Sequence, residues 1–292
     1  MTKQIQLITL YCAVCHHYDN TLVVHAQRQS NNFRPKFTDE ECITTYIWGI
    51  LNQKFDVKAC YRFIAEYYGQ WFPDLPSYQA YNHRICYLAD TLRAFADILL
   101  RGIGLDPGHS DYSIDSFPIV VAGPKRSNRA KTARELCDKG YCASKGMWYY
   151  GMKLHILAQC NHRAMPTPTL MVTSKASEHD LPVAKEMLCD VRDSRIFGDS
   201  AFADKQWHTH MREENNVIIR TPIKRRKGQV RLSAWERLYS AAVSSVKQAI
   251  ESLNNWIISK TDIQRASHVR SESGLTAFIF ARIAAACFSF YS

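Results

Sequence analysis

The sequence predicts an α/β protein, a mixed sheet flanked by helices and preceded by an all-α N-terminal region. Three observations carry that reading. Apolar residues recur at helical spacing over residues 38–101, the character changes to strands after the turn-rich stretch 102–110, and from Asp180 onward helix and strand take turns until helical periodicity resumes at Ser233.

The N-terminal helices have legible starts. Thr38 with Glu41 three residues later is a capping box, and the helix it opens sets Ile43, Ile47, Ile50 and Leu51 on one face. Asp56 caps a second helix carrying Cys60, Phe63, Ile64 and Tyr67, which Pro73 and Pro76 end. Ser77 caps a third, 78–100, through Ile85, Leu88, Leu92, Phe95 and Leu99. Three short helices with Arg84 and Arg93 on the last fit a helix-turn-helix module, and equally a plain three-helix unit.

Residues 112–122, 147–159 and 167–173 read as strands. Asp180 is then expected to cap a helix over 181–191, residues 194–198 and 217–221 to form two further strands, and Asp204 to open the helix between them. Helical spacing returns over 233–260, and 275–291 is a strongly apolar terminal helix. Arg282 lies within that last segment, so it falls short of the roughly 20 uncharged residues of a membrane span and reads as a buried helix.

With 46% hydrophobic and 22% charged residues in 292, the chain is neither disordered nor collagen-like, and it is long enough to fold on its own core. Lys and Arg number 37 against 27 Asp and Glu, a formal charge of +10 that favours an anionic partner, with nucleic acid first. Ten cysteines without regular spacing read as reduced thiols. The first twenty residues hold one Lys and no small-residue cleavage site, so no signal peptide is expected and the expected compartment is the cytoplasm. Cys12-Ala13-Val14-Cys15-His16 matches a haem-attachment spacing, yet no second Cys/His pair supports it, and it reads as a coincidence on a helix.

Three acids stand where folding alone does not ask for them. Asp115 interrupts the apolar strand Ser113 to Val121, Asp199 ends a strand at the strand-to-loop edge where α/β sheets place ligand groups, and Glu251 sits among apolar helical positions. Each also has an ordinary explanation: a turn before Pro118 for Asp115, a cap for Asp199, and a pair with Lys247 one turn back for Glu251. Together they supply the hard oxygen ligands that suit Mg²⁺ or Mn²⁺.

Four motifs in order make the pattern specific. Ser113-Ile114-Asp115-Ser116-Phe117-Pro118, Tyr150-Gly151-Met152-Lys153-Leu154-His155, Val172 through Asp180, and Gly198-Asp199-Ser200-Ala201-Phe202 resemble the DDE transposases of bacterial insertion sequences. The resemblance implies an RNase H-like catalytic domain over 106–292, with its C-terminal helices, after a DNA-binding helical region over 1–105. It implies Asp115, Asp199 and Glu251 as catalytic acids holding two Mg²⁺ ions, Mn²⁺ being possible in their place. It further implies cleavage at element ends, strand transfer into target DNA, and a homodimer on the terminal inverted repeats, with the protein associated with the nucleoid and no membrane partner. A catalytically inactive DNA-binding derivative and a nuclease that never joins strands are the alternatives.

In related transposases a basic residue stands four before the Glu, and Lys247 fits it. A Lys seven after the Glu is also usual, but Ile258 is there and Lys260 falls two late, which leaves Glu236 as a rival third acid. Lys153 and His155, two apart on a strand, are expected to share a face and contact phosphate, as are the basic runs Lys125, Arg126, Arg129, Lys131, Arg134 and Lys224, Arg225, Arg226, Lys227, Arg231, together with Lys247. Trp148, Tyr149 and Tyr150 are expected to pack within the sheet.

Overall fold

The computed structural model describes residues 2–26, 35–106, 108–143, 145–161, 164–225 and 228–291. Its elements run α1 (Lys3–Asn20), α2 (Asp39–Leu51), α3 (Val57–Tyr67), α4 (Tyr78–Tyr87), α5 (Ala89–Gly102), β1 (Asp111–Ala122), β2 (Asp138–Cys142), β3 (Met147–Gln159), β4 (Thr167–Lys175), α6 (Asp180–Met187), β5 (Ser194–Phe197), α7 (Lys205–Asn215), β6 (Val217–Arg220), α8 (Ala234–Thr261) and α9 (Glu272–Tyr291). The chain forms two compact units, one of Met1–Ile103, Lys131–Glu135 and Ile257–Ser292, the other of Gly104–Ala130 and Leu136–Trp256. A single cut at 105/106 does not reproduce them, because α9 packs with α2, α4 and α5 in the helical unit.

In the helical unit the caps form as the sequence dictates. Thr38 Oγ1 accepts the Glu41 N–H at 3.2 Å while Glu41 accepts the Thr38 N–H at 2.6 Å, and Asp56 and Ser77 accept the N–H groups of Ala59 and Ala80. The expected third helix is two: α4 and α5 break at Leu88, whose ψ of 18° leaves the helical range. Neither Pro nor Gly marks the break, and the apolar spacing runs straight through it, which is why periodicity joins the two.

Arg84, one of the two arginines behind the helix-turn-helix reading, has a structural place. It is 9% exposed; its Nε donates to Asp39 Oδ1 at 2.7 Å, its guanidinium also reaches the Phe37 carbonyl, and Tyr18 donates to the other Asp39 oxygen at 2.9 Å. Arg93 lies over the Phe280 ring, 4.9 Å from its centroid. Helix α9 is long and apolar enough to cross a membrane by length and composition alone, but most of it is buried within the protein. Its Arg282 is buried too, donating to Tyr46 Oη and to the carbonyls of Phe278 and Phe55, which offsets part of the cost of a charge in that core, although its Nε has no hydrogen-bond partner among the described residues.

In the other unit the sheet order is β2-β3-β1-β5-β6, with β4 also on β3. β3 is long enough to carry two neighbours on one edge, β2 against Met147–Gly151 and β4 against Met152–Gln159, while β1 lies antiparallel along the other edge. β1 pairs with β5 and β5 with β6 in parallel. The sequence reading lacks β2, whose Asp-Lys-Gly-Tyr-Cys shows no apolar alternation and which exists through its pairing with β3. Its Gly140 lies so close to the Ala176 carbonyl that a Cβ would come within 2.1 Å of the oxygen. Ile114, Leu157, Ile196, Val217 and Ile219 form a core with Ala184 and Leu188 of the α6 region and Trp207 and Met211 of α7.

Arg84→Met is expected to destabilise the protein by about 3–5 kcal/mol in urea unfolding, because it strands the Asp39 carboxylate in the core. Arg84→Met with Asp39→Leu should recover much of that loss.

Candidate functional site

Asp115 follows Ile114 on β1, so strand alternation turns it to the face opposite the α6/α7 core. The parallel pairing of β1 with β5 ends at Ser113 and Phe197, so each strand has two residues to go before its acid, Asp115 still on β1 and Asp199 just past the end of β5. Asp199 caps a short turn of helix, Ser200–Phe202, its Oδ1 accepting the Ala201 N–H at 2.6 Å. Gly198 fits here because a Cβ would meet the Phe202 ring at 2.8 Å.

The third side of the site comes from α8. At about 100° per residue, Lys247, Glu251 and Asn254 fall within about 60° of one another around the helix. Val243, Ile250 and Leu253 occupy the adjoining stripe and are buried, and Trp256 is half-buried. That packing fixes the rotation of the helix about its axis. Exposure of the three polar residues follows their angle from the buried stripe, Asn254 being buried, Lys247 mostly so and Glu251 exposed.

Lys247 Nζ lies 3.8 Å from Asp115 Oδ1, 3.9 Å from Asp199 Oδ2 and 3.6 Å from Glu251 Oε1. Three carboxylates from β1, the end of β5 and α8 thus surround one ammonium group. Burial pushes the Asp115 carboxyl up to about 6; Lys247 and the Ser116 N–H oppose that rise, and Asp199 and Glu251 add to it. The donor set is all carboxylate, which is the chemistry a hard divalent cation requires. Among the described residues, though, no three His, Cys, Asp or Glu side chains stand ready around a single ion position, since the lysine occupies the centre.

Glu236 is spent elsewhere. It accepts the Ser233 N–H at 2.7 Å while its own N–H donates to Ser233 Oγ at 3.2 Å, a capping box at the start of α8, and it also accepts from Gln229. α8 is unbroken from there, so fifteen residues put Glu236 roughly 22 Å from Glu251 along the axis.

A family described as the transposase DDE domain matches residues 106–288. The chain belongs to the DDE transposases. No curated protein and no solved structure matches it. The sheet order and the flanking helices of the transposase are those of the RNase H-like fold expected from the sequence, and a transposase acts on DNA.

The outlying residues divide. Lys125, Arg126 and Arg129 of the transposase are exposed after β1, as are Lys131, Arg134, Lys224, Arg225 and Arg231, while Arg226 and Lys227 lie outside the described residues. Lys247, expected at phosphate, stands among the acids instead. Lys153 donates to Asp180 Oδ1 at 2.9 Å and to the Glu178 carbonyl at 2.6 Å, so its charge is already answered. Asp180 accordingly is the first residue of α6 and this lysine's partner, not a side-chain cap. His155 is corrected from a phosphate contact: it is 0% exposed, with its Nε2 within 2.8 Å of Ser174 Oγ on the neighbouring strand β4. Tyr149 and Tyr150 are buried as expected, but Trp148 is half exposed, with its ring 5.2 Å from that of Tyr141 across the β2–β3 pair. Asn254 is the site residue that sequence reasoning missed. Only its helical angle beside Lys247 and Glu251 could have shown it.

Burial pushes the His155 imidazole down to about 4, with Asp180 opposing and Lys153 adding to the shift. Relative to an unfolded value near 6.5, a lowered pKa contributes stability that is present above pH 6.5 and lost as the pH falls through 4. The loss should approach about 3 kcal/mol, and His155→Gln should flatten the pH dependence of the urea midpoint between pH 7 and 4.

Proposed function

We propose that this chain is an insertion-sequence transposase that cleaves DNA at the ends of its element and joins the freed 3′-hydroxyls to target DNA. The observation that carries the reading is the convergence of Asp115, Asp199 and Glu251, from three separate elements, on the one ammonium group of Lys247. In this reading the three carboxylates hold divalent ions, Mg²⁺ or Mn²⁺, two of them in the working site. Such ions, when bound, lower the pKa of an attacking water or hydroxyl and offset charge on the leaving oxygen.

The chain's own groups have distinct tasks. Lys247 neutralises part of the acid cluster before ions enter and must yield its central place to them. Asp115 is the driest of the three acids and Glu251 the wettest, so the DNA backbone approaches from the Glu251 side. The exposed cations Lys125, Arg126 and Arg129 after β1, and Lys224, Arg225 and Arg231 after β6, lie on loops of the catalytic unit, where they contact phosphates on either side of the cut. End recognition falls to the helical region over 1–105, working in the intact chain, since α9 completes the core of that unit. The synaptic complex is a homodimer on paired ends, and the protein works in the cytoplasm on nucleoid DNA.

The direct test incubates the protein with duplexes bearing the inverted repeats that flank its gene, with Mg²⁺, and sequences the products. Cut ends joined to new sites support the reading; cut ends never joined mark a nuclease, and bound but uncut ends mark an inactive derivative. Asp115→Asn, Asp199→Asn and Glu251→Gln should each abolish cleavage while leaving end binding nearly intact, because each removes an ion ligand and leaves the phosphate-binding cations in place. Glu236→Gln should stay active with little change in stability, because the amide oxygen can accept the Ser233 N–H in the carboxylate's place.

Replacing Lys224, Arg225, Arg226 and Lys227 together with Gln should weaken binding to all DNA sequences alike. The log–log salt slope should flatten by about 0.9 for each phosphate that the variant no longer neutralises, and an unchanged slope would show that this run touches no DNA.

A further inference from the structure

Asp115 is held by two different hands. Its Oδ1 faces Lys247 Nζ at 3.8 Å, beyond hydrogen-bond distance, while its Oδ2 accepts a hydrogen bond from Asn254 Nδ2 at 3.0 Å. Asn254 is 6% exposed, and its own Oδ1 is buried without a hydrogen-bond partner among the described residues. A buried acceptor left unpaired costs about 1–3 kcal/mol, and the neighbouring positions Ile250 and Leu253 show that this part of the helix accepts plain apolar packing. The amide therefore stands at a place where an apolar side chain would serve the fold at least as well.

The plane of an aspartate carboxylate is soft, because its terminal torsion has broad wells. An ammonium at 3.8 Å attracts the group without fixing that plane. A directional N–H donor on the second oxygen does fix it, and holds the first oxygen toward the position shared with Asp199 and Glu251.

We propose that Asn254 is a positioning residue for Asp115, orienting its carboxylate from the buried side of α8 so that the acid is set to take a divalent cation. The proposal rests on the reading of Asp115, Asp199 and Glu251 as ion-holding acids. It gives Asn254 a task that outlasts the ion pair: when Lys247 moves away from the acids, the hydrogen bond from the Asn254 amide to Asp115 remains.

The test is calorimetric titration of the full chain with Mn²⁺ alone, without DNA, alongside thermal melting. Groups that orient metal-binding side chains are worth about 10–100-fold in affinity, so Asn254→Leu should weaken Mn²⁺ binding by that factor while the melting temperature holds or rises. Asn254→Ala, which adds no bulk, repeats the comparison if the leucine variant does not fold. Wild-type Mn²⁺ affinity in a folded Asn254 variant that accompanies weakened affinity in Asp115→Asn would overturn the role of Asn254 and leave the acid site standing. Undiminished affinity in Asp115→Asn would instead remove the ion-holding reading on which the proposal depends.

Discussion

Three carboxylates and one lysine share a small volume, and the catalytic unit is arranged around that imbalance of charge. Unit charges about 4 Å apart interact with about 4 kcal/mol at the effective dielectric of a protein surface, which is the attraction of each acid to the lysine, while the acids gathered around it repel one another. Lys247 answers only one of the three charges. The Asp115 carboxyl is raised chiefly by its burial, with Lys247 opposing the rise and its two acidic neighbours adding to it. A site in that condition favours any cation of higher charge that can take the lysine's place.

What brings the acids together is strand order. β1 lies between β3 and β5, and its parallel partner ends two residues before Asp199. A helix on the opposite face from α6 and α7 then needs only the right rotation to present its own acid. That rotation is set by Val243, Ile250 and Leu253, whose burial does for α8 what register does for the strands. Residues far apart in sequence, 115, 199 and 251, are in this way made neighbours by apolar packing that takes no part in any chemistry.

Much of this was legible in the sequence for identifiable reasons. The caps at Thr38, Asp56 and Ser77 are local, depending on residues three apart, and they formed as read. Strands with strong alternation were found to within a residue or two. β2 was not, because its stability comes from β3 and leaves no mark in its own five residues. The break at Leu88 was hidden by an apolar face that continues through it. Arg84 was counted toward a helix-turn-helix and His155 toward a phosphate contact for a shared reason: a lone polar residue looks the same in sequence whether it meets solvent or a buried partner, and here Asp39 and Ser174 supply the partners from distant segments. The acids were found as a set through their motifs, whereas the lysine between them was read as one more phosphate contact.

The unbroken run of α8 from its capping box to Asn254 makes the site a matter of phase. Each residue advances the helix by about 100°, so one residue gained or lost between the buried Val243 and Lys247 would swing Lys247, Glu251 and Asn254 a quarter turn or more away from Asp115, with every one of them still present. A gain of a whole turn would restore the angle and shift the set by only about 5 Å along the axis. Evolution of this segment is thereby confined to substitution, or to insertions and deletions in steps of three or four.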